Sequence, residues 1–511
     1  MRQRILKTIF LLLLPILVLS GCWQEPLPIL EDGELLQSDE LEQESTASRV
    51  ILPELLSLPY SPDLTLDPVT CADGMQQVIS SLLCEGLFRL GPDLEPEPYL
   101  CQSYTYDAET CTYMFTLHSG ITFSDGSPLT AHDVKTTLER ARTSERYGSR
   151  LSAVSSITAG NGTVAIALSE PNTAFPALLD IPIVKSGTES TPVGTGPYLF
   201  SLENSEAYLI ANQSWWKGGD RQPTDRIALV ETSDLDTMLY RFTSHDVQLI
   251  TADLTGTAPI SATGSVSYCD ASTTILQYIG CNTQREPLND AAFRRALSKG
   301  IYRQSLVSAF LSGHGTAAQF PVSPVSSLYP DDLDEPYSYD TFCSALSECG
   351  YISTRTLTLL VNEENDFKVS AAEEIAKNFS SAGVSVKVKA LPWEEFMAAL
   401  LAGEFDLYYG EVKLTADWDL SSLLGTGGVL NYGGWADAQT DLLLSGFAAA
   451  SDRSAAMHRL CAYLQTQSPI LPVCFKSTSV LMQTNVLSGL EPTMSEPFYN
   501  LPDCTIHLRE S

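Results

Sequence analysis

Cysteine and histidine are the side chains in this sequence best suited to bind a metal, to form disulfides or to act as nucleophiles. The chain contains twelve Cys and six His. No cysteines stand in a CxxC arrangement, and the histidines form no ligand constellation with them, so we predict no metal site and no cofactor. Setting Cys22 aside leaves an odd number of thiols, of which at least one is free or pairs with another chain. Candidate disulfide pairs are Cys101 with Cys111, Cys343 with Cys349, and Cys461 with Cys474, and the sequence does not fix the connectivity.

The sequence lacks the common catalytic signatures. It contains no GxSxG elbow, no HExxH, no Walker loop and no GxGxxG after a strand. Acidic pairs, which act in glycosidases, carry no information in a chain with 62 Asp and Glu residues. We therefore predict that the protein is not an enzyme, and an extracellular enzyme is the less favoured alternative.

Cys22 follows a segment with the composition of a secretory signal. A basic tip, MRQRILK, precedes an apolar run and the small residues Ser20 and Gly21. The run is shorter than the roughly 20 apolar residues that cross a bilayer as a helix. The pattern resembles the bacterial lipobox, in which the thiol is diacylated and the signal is cut before the cysteine. We therefore predict a signal peptide over 1–21, lipidation of Cys22, and a lipid anchor in the cell membrane on its extracytoplasmic face. A plain secretory signal beside a chance cysteine is the alternative.

The charge of the chain restricts its partners. Its 62 acidic residues outweigh 30 basic ones, for a net charge of −32, and no basic stretch follows the signal. Such a field repels phosphate groups, so we predict no nucleic-acid partner. Residues 22–48 comprise the lipidated cysteine and an acidic segment without Lys or Arg, which predicts a flexible stalk or, alternatively, a short helix. The remaining body, 49–511, is long enough for two or three domains.

The first half of the body is rich in predicted strands. Apolar side chains at helical spacing predict a helix over 75–88. A hairpin is predicted around Asp107-Ala108-Glu109, because its second strand alternates apolar and polar residues. Thr130 followed by Asp133 is a capping-box arrangement, which predicts the start of a helix.

The later half has an α/β pattern. Asp290 is predicted to begin one helix that runs through AAFRRALSKGIYRQSLVSAFL and stops at Gly313. Further on, the strand RTLTLLV, the helix KVSAAEEIAKNFSSAG and the strand VSVKVKAL form a β-α-β unit, followed by the helix WEEFMAALLAG and the strand FDLYYGEV. Strands separated by helices of this length predict largely parallel pairing.

Several stretches of the body occur in the order and spacing of one known family. They are EGL at 85–87, YLCQSY at 99–104, FTLHSGITFSDGSPLTAHDV at 115–134, VGTGPY at 193–198, NQSWWKG at 212–218 and NDAAFRRALSKGIYRQSLV at 289–307. Together they resemble the family 5 extracellular solute-binding proteins, the oligopeptide, dipeptide and nickel receptors of ABC importers. The resemblance extends from about residue 60 to the C-terminus.

The resemblance implies an α/β, bilobal fold of the periplasmic-binding-protein type, class II and cluster C, with an extra inserted domain. A ligand is buried when the hinge between the lobes closes. Domain I is implied to be discontinuous, domain II to be inserted in it, and domain III to form the α/β lobe. The implied boundaries are 49–88, 190–280 and 485–511 for domain I, 89–189 for domain II, and 281–484 for domain III.

The resemblance also implies a mode of binding. In peptide-binding members, the main chain of the ligand pairs in β-strand fashion with both lobes, and a carboxylate holds its amino terminus. The stretch FDLYYGEVKLTADWDLSSLL resembles the segment that supplies these contacts. Asp417 is the implied partner of the ligand ammonium group, and Asp419 and Glu411 are the alternatives. Each could instead be a loop carboxylate or a helix N-cap.

Aromatic and loop residues complete the implied ligand-binding site. Trp393 matches a tryptophan that lines the pocket of oligopeptide receptors, although a tryptophan at a helix start is equally compatible with core packing. The segment GTGGVLNYGGWAD resembles one near the cleft, where ordinary turn packing is the alternative. The remaining implied ligand-binding residues are Trp418, Asn431, Tyr432, Trp435, Thr70 and Asp73.

The sequence thus predicts a monomeric, lipid-anchored receptor of an ABC importer, which captures short peptides and delivers them to the ABC permease transmembrane subunits. A receptor for a nickel chelate, haem or an oligosaccharide is one alternative. A peptide-sensing signalling lipoprotein without transport is another. Scattered histidines favour peptide over nickel as the ligand.

Overall fold

The computed structural model of the chain describes residues 52–257, 260 and 265–509. The predicted signal peptide, the predicted lipidation site Cys22 and the predicted stalk lie outside the described residues. In the part of the chain that is described, no helix is both long enough and apolar enough to cross a membrane.

The strands come from all parts of the described chain. In chain order they are β1 (Leu56–Tyr60), β2 (Phe88–Leu90), β3 (Pro96–Pro98), β4 (Cys101–Asp107), β5 (Thr112–Leu117), β6 (Val154–Ala159), β7 (Thr163–Leu168), β8 (Tyr198–Glu203), β9 (Glu206–Ala211), β10 (Arg226–Glu231), β11 (Leu249–Ala252), β12 (Val266–Cys281), β13 (Gly315–Ala317), β14 (Leu357–Asn362), β15 (Val386–Leu391), β16 (Leu407–Lys413), β17 (Ile470–Gln483), β18 (Leu487–Ser488) and β19 (Thr505–Ile506).

The α-helices are concentrated in the later half. They are α1 (Gly74–Leu83), α2 (Ala131–Thr143), α3 (Leu235–Thr243), α4 (Ala291–Lys299), α5 (Arg303–Phe310), α6 (Tyr339–Glu348), α7 (Asp366–Ser381), α8 (Trp393–Leu401), α9 (Ser421–Leu424), α10 (Ala438–Ala448) and α11 (Arg453–Gln467). Short 3-10 helices occur at Phe175–Leu178, Asp331–Leu333 and Leu501–Asp503.

Three larger sheets organise these elements. One has the order β1-β10-β9-β8, with β1 and β10 parallel, and a second, antiparallel sheet has the order β4-β5-β7-β6. The largest has the order β11-β17-β12-β16-β14-β15, with β13 paired to β17. In it, β14 lies parallel to both β15 and β16, which confirms the predicted β-α-β unit.

Four larger hydrophobic cores pack against these sheets. The first core joins the β1-containing sheet to α1, α3 and the chain after residue 480. The second core joins the β4-containing sheet to α2. The third and fourth cores lie on opposite faces of the largest sheet, because side chains alternate along a strand: Tyr409 packs in the third and Tyr408 in the fourth. The boundaries of the three domains stay a prediction.

Local sequence patterns fix several elements as expected. The Thr130 side chain and the Asp133 backbone N–H form one half of a capping box at α2, and the Asp133 carboxylate accepts from the Thr130 backbone N–H in the other half. The hairpin β4-β5 turns at the predicted position, with alternate side chains of β5 buried. These two predictions are confirmed.

Two helix predictions are wrong in extent. The first helix stops at Leu83 instead of continuing to residue 88, because the Leu83 carbonyl accepts a hydrogen bond from the backbone N–H of Gly196, at 2.9 Å. The single helix predicted after Asp290 is two helices, α4 and α5, which meet at Gly300. A Cβ atom at Gly300 would lie 2.7 Å from the Phe342 ring, so the close packing there requires glycine, which is also a poor helix former.

The eleven cysteines of the described chain are all free thiols, and seven of them are buried. The candidate pairs Cys101 with Cys111, Cys343 with Cys349 and Cys461 with Cys474 are therefore not formed in this structure. Burial raises the pKa of the Cys281 and Cys474 thiols to about 12, which keeps them protonated and unreactive. These cysteines act as small apolar core residues.

Candidate functional site: the cleft between two lobes

Two long strands, β12 and β17, connect two lobes. The first and second cores form lobe 1, and the third and fourth cores form lobe 2. At one end β12 and β17 contribute to the first core, and at the other end they contribute to the cores of the largest sheet. Their pairing breaks between Ser272 and Leu276, where the register shifts. A bulge of this kind bends a strand, so the interruption is the natural hinge between the lobes.

A cleft lies between the lobes and contains two adjoining cavities. The larger has a volume of about 480 Å³ and the other of about 440 Å³. Both are lined by Ser149 and Arg150 of lobe 1 and by Thr415 of lobe 2, so they form one continuous space. The combined size is in the range of small-ligand sites.

The smaller cavity is lined by cationic side chains, and we call it the basic cavity. Arg146, Arg150 and Lys413 line it, and Asp180 is the one carboxylate among its lining residues. Asp180 forms an ion pair with Arg150. Partial desolvation lowers the pKa of the Lys413 ammonium group, and the charges of Arg146 and Arg150 lower it further.

The larger cavity is lined by carboxylates, and we call it the acidic cavity. Its carboxylates are Glu170, Asp417, Asp419 and Asp441, and Arg150 and Arg453 are its cations. Burial lowers the pKa of the Arg453 guanidinium, and the nearby Asp417 opposes that shift. The two ends of the cleft therefore carry opposite charge.

Asp417 is placed deep in the acidic cavity, with 5 % of its surface exposed. Its carboxylate accepts hydrogen bonds from the Thr415 hydroxyl, from the backbone N–H of Asp419 at 3.3 Å, and from Nδ2 of Asn172 at 2.8 Å. Asn172 belongs to lobe 1, so Asp417 bridges the lobes. Asp419 also lines the acidic cavity, and its side chain accepts from the backbone N–H of Ser421 at 2.9 Å.

Glu411 does not line either cavity. Its carboxylate lies 3.3 Å from the Lys368 ammonium nitrogen and 3.6 Å from that of Lys476, and it accepts from Gln277 at 2.9 Å. Lys476 is 2 % exposed and also contacts Asp253 at 2.6 Å, beside the register shift of the connecting strands. The structure thus places Glu411 in an ion-pair network beside the register shift of the connecting strands.

The strand β16 has a free edge, and its last residue, Lys413, lines the basic cavity. It pairs with β12 along its whole length, but its only pairing with β14 is at Leu407 and Tyr408. Among the described strands, none pairs with the other edge of β16 from Tyr409 onward. The chain then continues through residues 413–416, which line the basic cavity. Unpaired main-chain groups at such an edge can accept an added strand.

All four aromatic candidates lie outside the two cavities. Trp393 is 54 % exposed at the start of α8, and its ring stacks on Phe396. Trp418 is 1 % exposed and packs edge-on against Phe475 in the fourth core. Tyr432 packs against Tyr408. None of these three side chains lines the cleft cavities.

The remaining candidates hold loops in place. Asn431 donates to the carbonyls of Gly425 and Trp435, and Nε1 of Trp435 donates to the Thr440 hydroxyl. The Thr70 hydroxyl donates to Asp67, at 2.9 Å. Asp73 caps α1 by accepting from the backbone N–H of Gln76. Gly74, the next residue, lines the basic cavity.

The sequence did not predict the cationic side chains of the cleft. Arg146 and Arg150 follow α2, more than 260 residues before Lys413, so no local pattern joins them. One signal was available: Lys and Arg are scarce in this chain, and Lys413 stands in the very segment that supplies Asp417.

Comparison with known proteins gives a family and a fold. The sequence model of one protein family, described as "Bacterial extracellular solute-binding proteins, family 5 Middle", matches residues 95–427. The glutathione-binding protein GsiB of Salmonella typhimurium is 27 % identical over 390 residues, which cover 71 % of this chain and 76 % of that protein.

Solved structures share the fold at low identity. The ABC transporter substrate-binding protein CtaP of Listeria monocytogenes superposes with a TM-score of 0.73 at 18 % identity, covering 89 % of this chain and all of that one. A nickel ABC transporter protein of Bacillus halodurans gives 0.73 at 19 % identity, covering 86 % of this chain and 98 % of that one. The predicted α/β, bilobal fold is therefore confirmed.

Proposed function

This chain belongs to the bacterial extracellular solute-binding proteins of family 5, and from that premise we propose that it is the receptor of an ABC importer and captures short peptides in the cleft between its lobes. It acts as a monomer that delivers the peptide to the transmembrane permease subunits. The observation that carries the proposal is the free edge of β16, which reaches the cleft at Lys413.

An extended peptide can form hydrogen bonds with the unpaired main-chain groups of such an edge. Main-chain hydrogen bonds to an added strand provide affinity without reading side chains, which suits a receptor for many peptides. Asp417 is the proposed partner of the ligand ammonium group, with Asp419 beside it. Glutathione, which the relative GsiB is named for binding, is itself a tripeptide.

The lining of the cleft favours peptide over nickel. Neither cavity has a His or Cys among its lining residues. Imidazole and thiolate are the side-chain ligands that would hold a nickel ion tightly. Backbone edges and opposed charges, in contrast, match a peptide with two charged ends.

The test is native mass spectrometry of residues 49–511 after incubation with a pool of random tripeptides, with titration calorimetry of those retained. We expect a heterogeneous added mass that fragments into peptides, because main-chain recognition tolerates many side chains. Retention of no tripeptide, together with a single discrete mass from cell extract, would overturn the peptide proposal and leave the fold intact.

Lipid attachment at Cys22 is the second part of the proposal. It rests on the signal-like segment and the small residues before the cysteine. Labelling cells with a palmitate analogue should mark the full-length protein, and Cys22→Ser should abolish the label and release the protein from the membrane fraction. Persistent membrane association of the unlabelled variant would contradict the anchor.

A further inference from the structure

Lobe 1 contains a cavity of its own, outside the cleft, and we call it the lobe 1 cavity. Its volume is about 390 Å³, within the range of small-ligand sites, and Leu82 and Leu501 of the first core line part of it. It shares only Ser81 with the basic cavity and no lining residue with the acidic cavity. Pro497 lines the basic cavity and Phe498 lines the lobe 1 cavity, so one segment of chain forms a wall between them.

Most charged side chains of the lobe 1 cavity are compensated within the protein. Arg89 forms an ion pair with Glu97, at 3.0 Å. The Glu85 carboxylate accepts hydrogen bonds at 2.7 to 2.9 Å from three neutral donors, the Thr195 hydroxyl and the indole N–H groups of Trp215 and Trp216. Three further charged lining residues are exposed to solvent, which screens them: Arg221, Glu491 and Asp503.

Two opposite charges in the lobe 1 cavity have no such partner. The Lys217 ammonium nitrogen lies 3.5 Å from the centre of the Tyr99 ring, and among the described residues no carboxylate pairs with it. Glu496 is held by its main chain, whose N–H donates to the Thr493 hydroxyl at 3.2 Å. The Glu496 carboxylate forms no hydrogen bond or ion pair with any described residue. The fold therefore presents one cation and one anion to the same cavity without pairing them.

Holding these two charges apart is unfavourable for the protein alone. Desolvation lowers the pKa of Lys217 to about 8, and the charge of Arg89 lowers it further, while burial raises the pKa of Glu496 to about 7. Desolvated charges without a hydrogen-bonded partner cost free energy, which a ligand of complementary charge would recover. Titratable groups that are shifted in this way and face a cavity are typical of ligand-binding sites.

We propose that the lobe 1 cavity binds a free amino acid, whose ammonium group pairs with Glu496 and whose carboxylate pairs with Lys217. Both contacts are charge-assisted hydrogen bonds, which are stronger than neutral ones. The apolar part of the lining, which includes Leu82 and Leu501, would receive the side chain. This second site goes beyond peptide capture, since it requires neither the cleft nor its hinge.

The direct test titrates the full-length protein with each of the standard amino acids by calorimetry. We expect at least one of them to bind. Its N-acetyl derivative lacks the ammonium group and its amide lacks the carboxylate, so each should bind about 10- to 100-fold more weakly. Binding of no amino acid, or equal affinity for the amino acid and both derivatives, would overturn the site. Neither result bears on peptide capture, which is measured with tripeptides.

Glu496→Gln and Lys217→Met assign the two charges. The preference for the amino acid over its N-acetyl derivative should fall at least several-fold in Glu496→Gln, and the preference over its amide should fall likewise in Lys217→Met. The matched controls are Glu109→Gln and Lys389→Met, at exposed residues that line neither this cavity nor the cleft. Each preference compares two ligands on one protein sample, so it is insensitive to a general loss of stability. Unchanged preferences in both variants would overturn the site, and so would loss of binding in Asp417→Asn alone, which would place the amino acid in the cleft.

Discussion

At the scale of single residues, the partners of each carboxylate separate a ligand-binding role from a structural one. Glu411 faces two ammonium groups and a glutamine, so its charge is neutralised within the protein. The side chain of Asp417 accepts only from neutral donors, Asn172, Thr415 and the backbone of Asp419. The charges of Arg453 and Arg150 lie close enough to interact with it, but among the described residues neither forms an ion pair with the Asp417 carboxylate, so a ligand cation can compete for it in the acidic cavity.

Asp417→Asn should weaken the binding of peptides with a free amino terminus by about 10- to 100-fold, since a charge-assisted hydrogen bond is lost while side-chain size is kept. N-acetylated peptides, which lack the ammonium group, should lose little. Calorimetry with matched free and acetylated tripeptides measures both, and Asp63→Asn, an exposed loop substitution, is the control. Equal losses for the two kinds of peptide would argue against an ammonium partner.

Glu496 predicts a pH dependence of stability. It lines a cavity of about 390 Å³ with Glu85, Arg89 and Lys217. Burial raises its pKa to about 7, Arg89 and Lys217 oppose this shift, and Glu85 adds to it. A folded-state pKa above the unfolded one means that the folded protein binds the proton more tightly. The stability that this group contributes is complete below about pH 4.3, the unfolded value, and is lost as the pH rises through 7.

Glu496→Gln should therefore have little effect at pH 5 and raise the free energy of unfolding by about 1–3 kcal/mol at pH 8, where the native glutamate must be charged. Denaturant unfolding of both proteins at the two pH values measures the difference. Glu109→Gln, on the exposed turn of the hairpin, is the control. A difference of the same size at both pH values would contradict the argument.

At the scale of elements, the position of β16 depends on two cross-strand pairs with β12. Tyr278 lies opposite Gly410, and Gly280 lies opposite Tyr408. Each tyrosine ring covers the glycine opposite it, and the two hydroxyl groups are 3.1 Å apart. This arrangement fixes the strand that leads into the cleft residues 413–419.

Gly410→Ala should lower the free energy of unfolding by about 1–3 kcal/mol, because the new Cβ would lie 2.6 Å from the Tyr278 ring and force it to move. Gly446→Ala is the matched control, since Gly446 lies in α10 with open space around it. There the substitution should stabilise by about 0.5–1 kcal/mol through helix propensity. Chemical denaturation measures both, and equal effects of the two substitutions would contradict the packing argument.

The helices and strands could be predicted from the sequence more fully than the candidate ligand-binding site. Caps and alternating strands are local, so Thr130 with Asp133 and the hairpin β4-β5 could be predicted from neighbouring residues. The break at Gly300 depends on Phe342, which approaches from a distant helix, and no local pattern contains that information. The acidic part of the cleft could be inferred from the segment around Asp417. Its basic part could not be predicted, because Arg150 and Lys413 are far apart in the sequence and line the same cavity only in the folded structure.

At the scale of the whole molecule, the structure combines a bend in its connecting strands with hydrogen bonds that hold the lobes together. The bend is the register shift in β12 and β17. The inter-lobe hydrogen bonds include Asn172 to Asp417, the backbone N–H of Thr173 to the Ala448 carbonyl at 2.9 Å, and the Ser326 hydroxyl to Glu95 at 3.0 Å. A ligand shifts the equilibrium between the open and closed states only by the difference between its affinities for the two states. A few such contacts are therefore enough to influence how open the ligand-free protein is.

Thr173 offers a test of this balance that leaves the cavities unaltered. Its hydroxyl donates to the Ala450 carbonyl of lobe 2, at 2.9 Å, and its side chain does not line the cleft cavities. Thr173→Val keeps the shape and removes this hydrogen bond, which stabilises the closed state by about 0.5–1.5 kcal/mol. We expect a more open ligand-free protein, with a larger radius of gyration in solution scattering, and a peptide affinity about 2- to 12-fold weaker.

Saturating peptide should restore the compact form of the Thr173→Val protein, because the ligand still favours closure. Thr143→Val, which removes a hydroxyl bonded within α2 alone, should change neither quantity. If Thr173→Val also left both unchanged, the hydrogen bond from Thr173 to Ala450 would not contribute to the opening equilibrium.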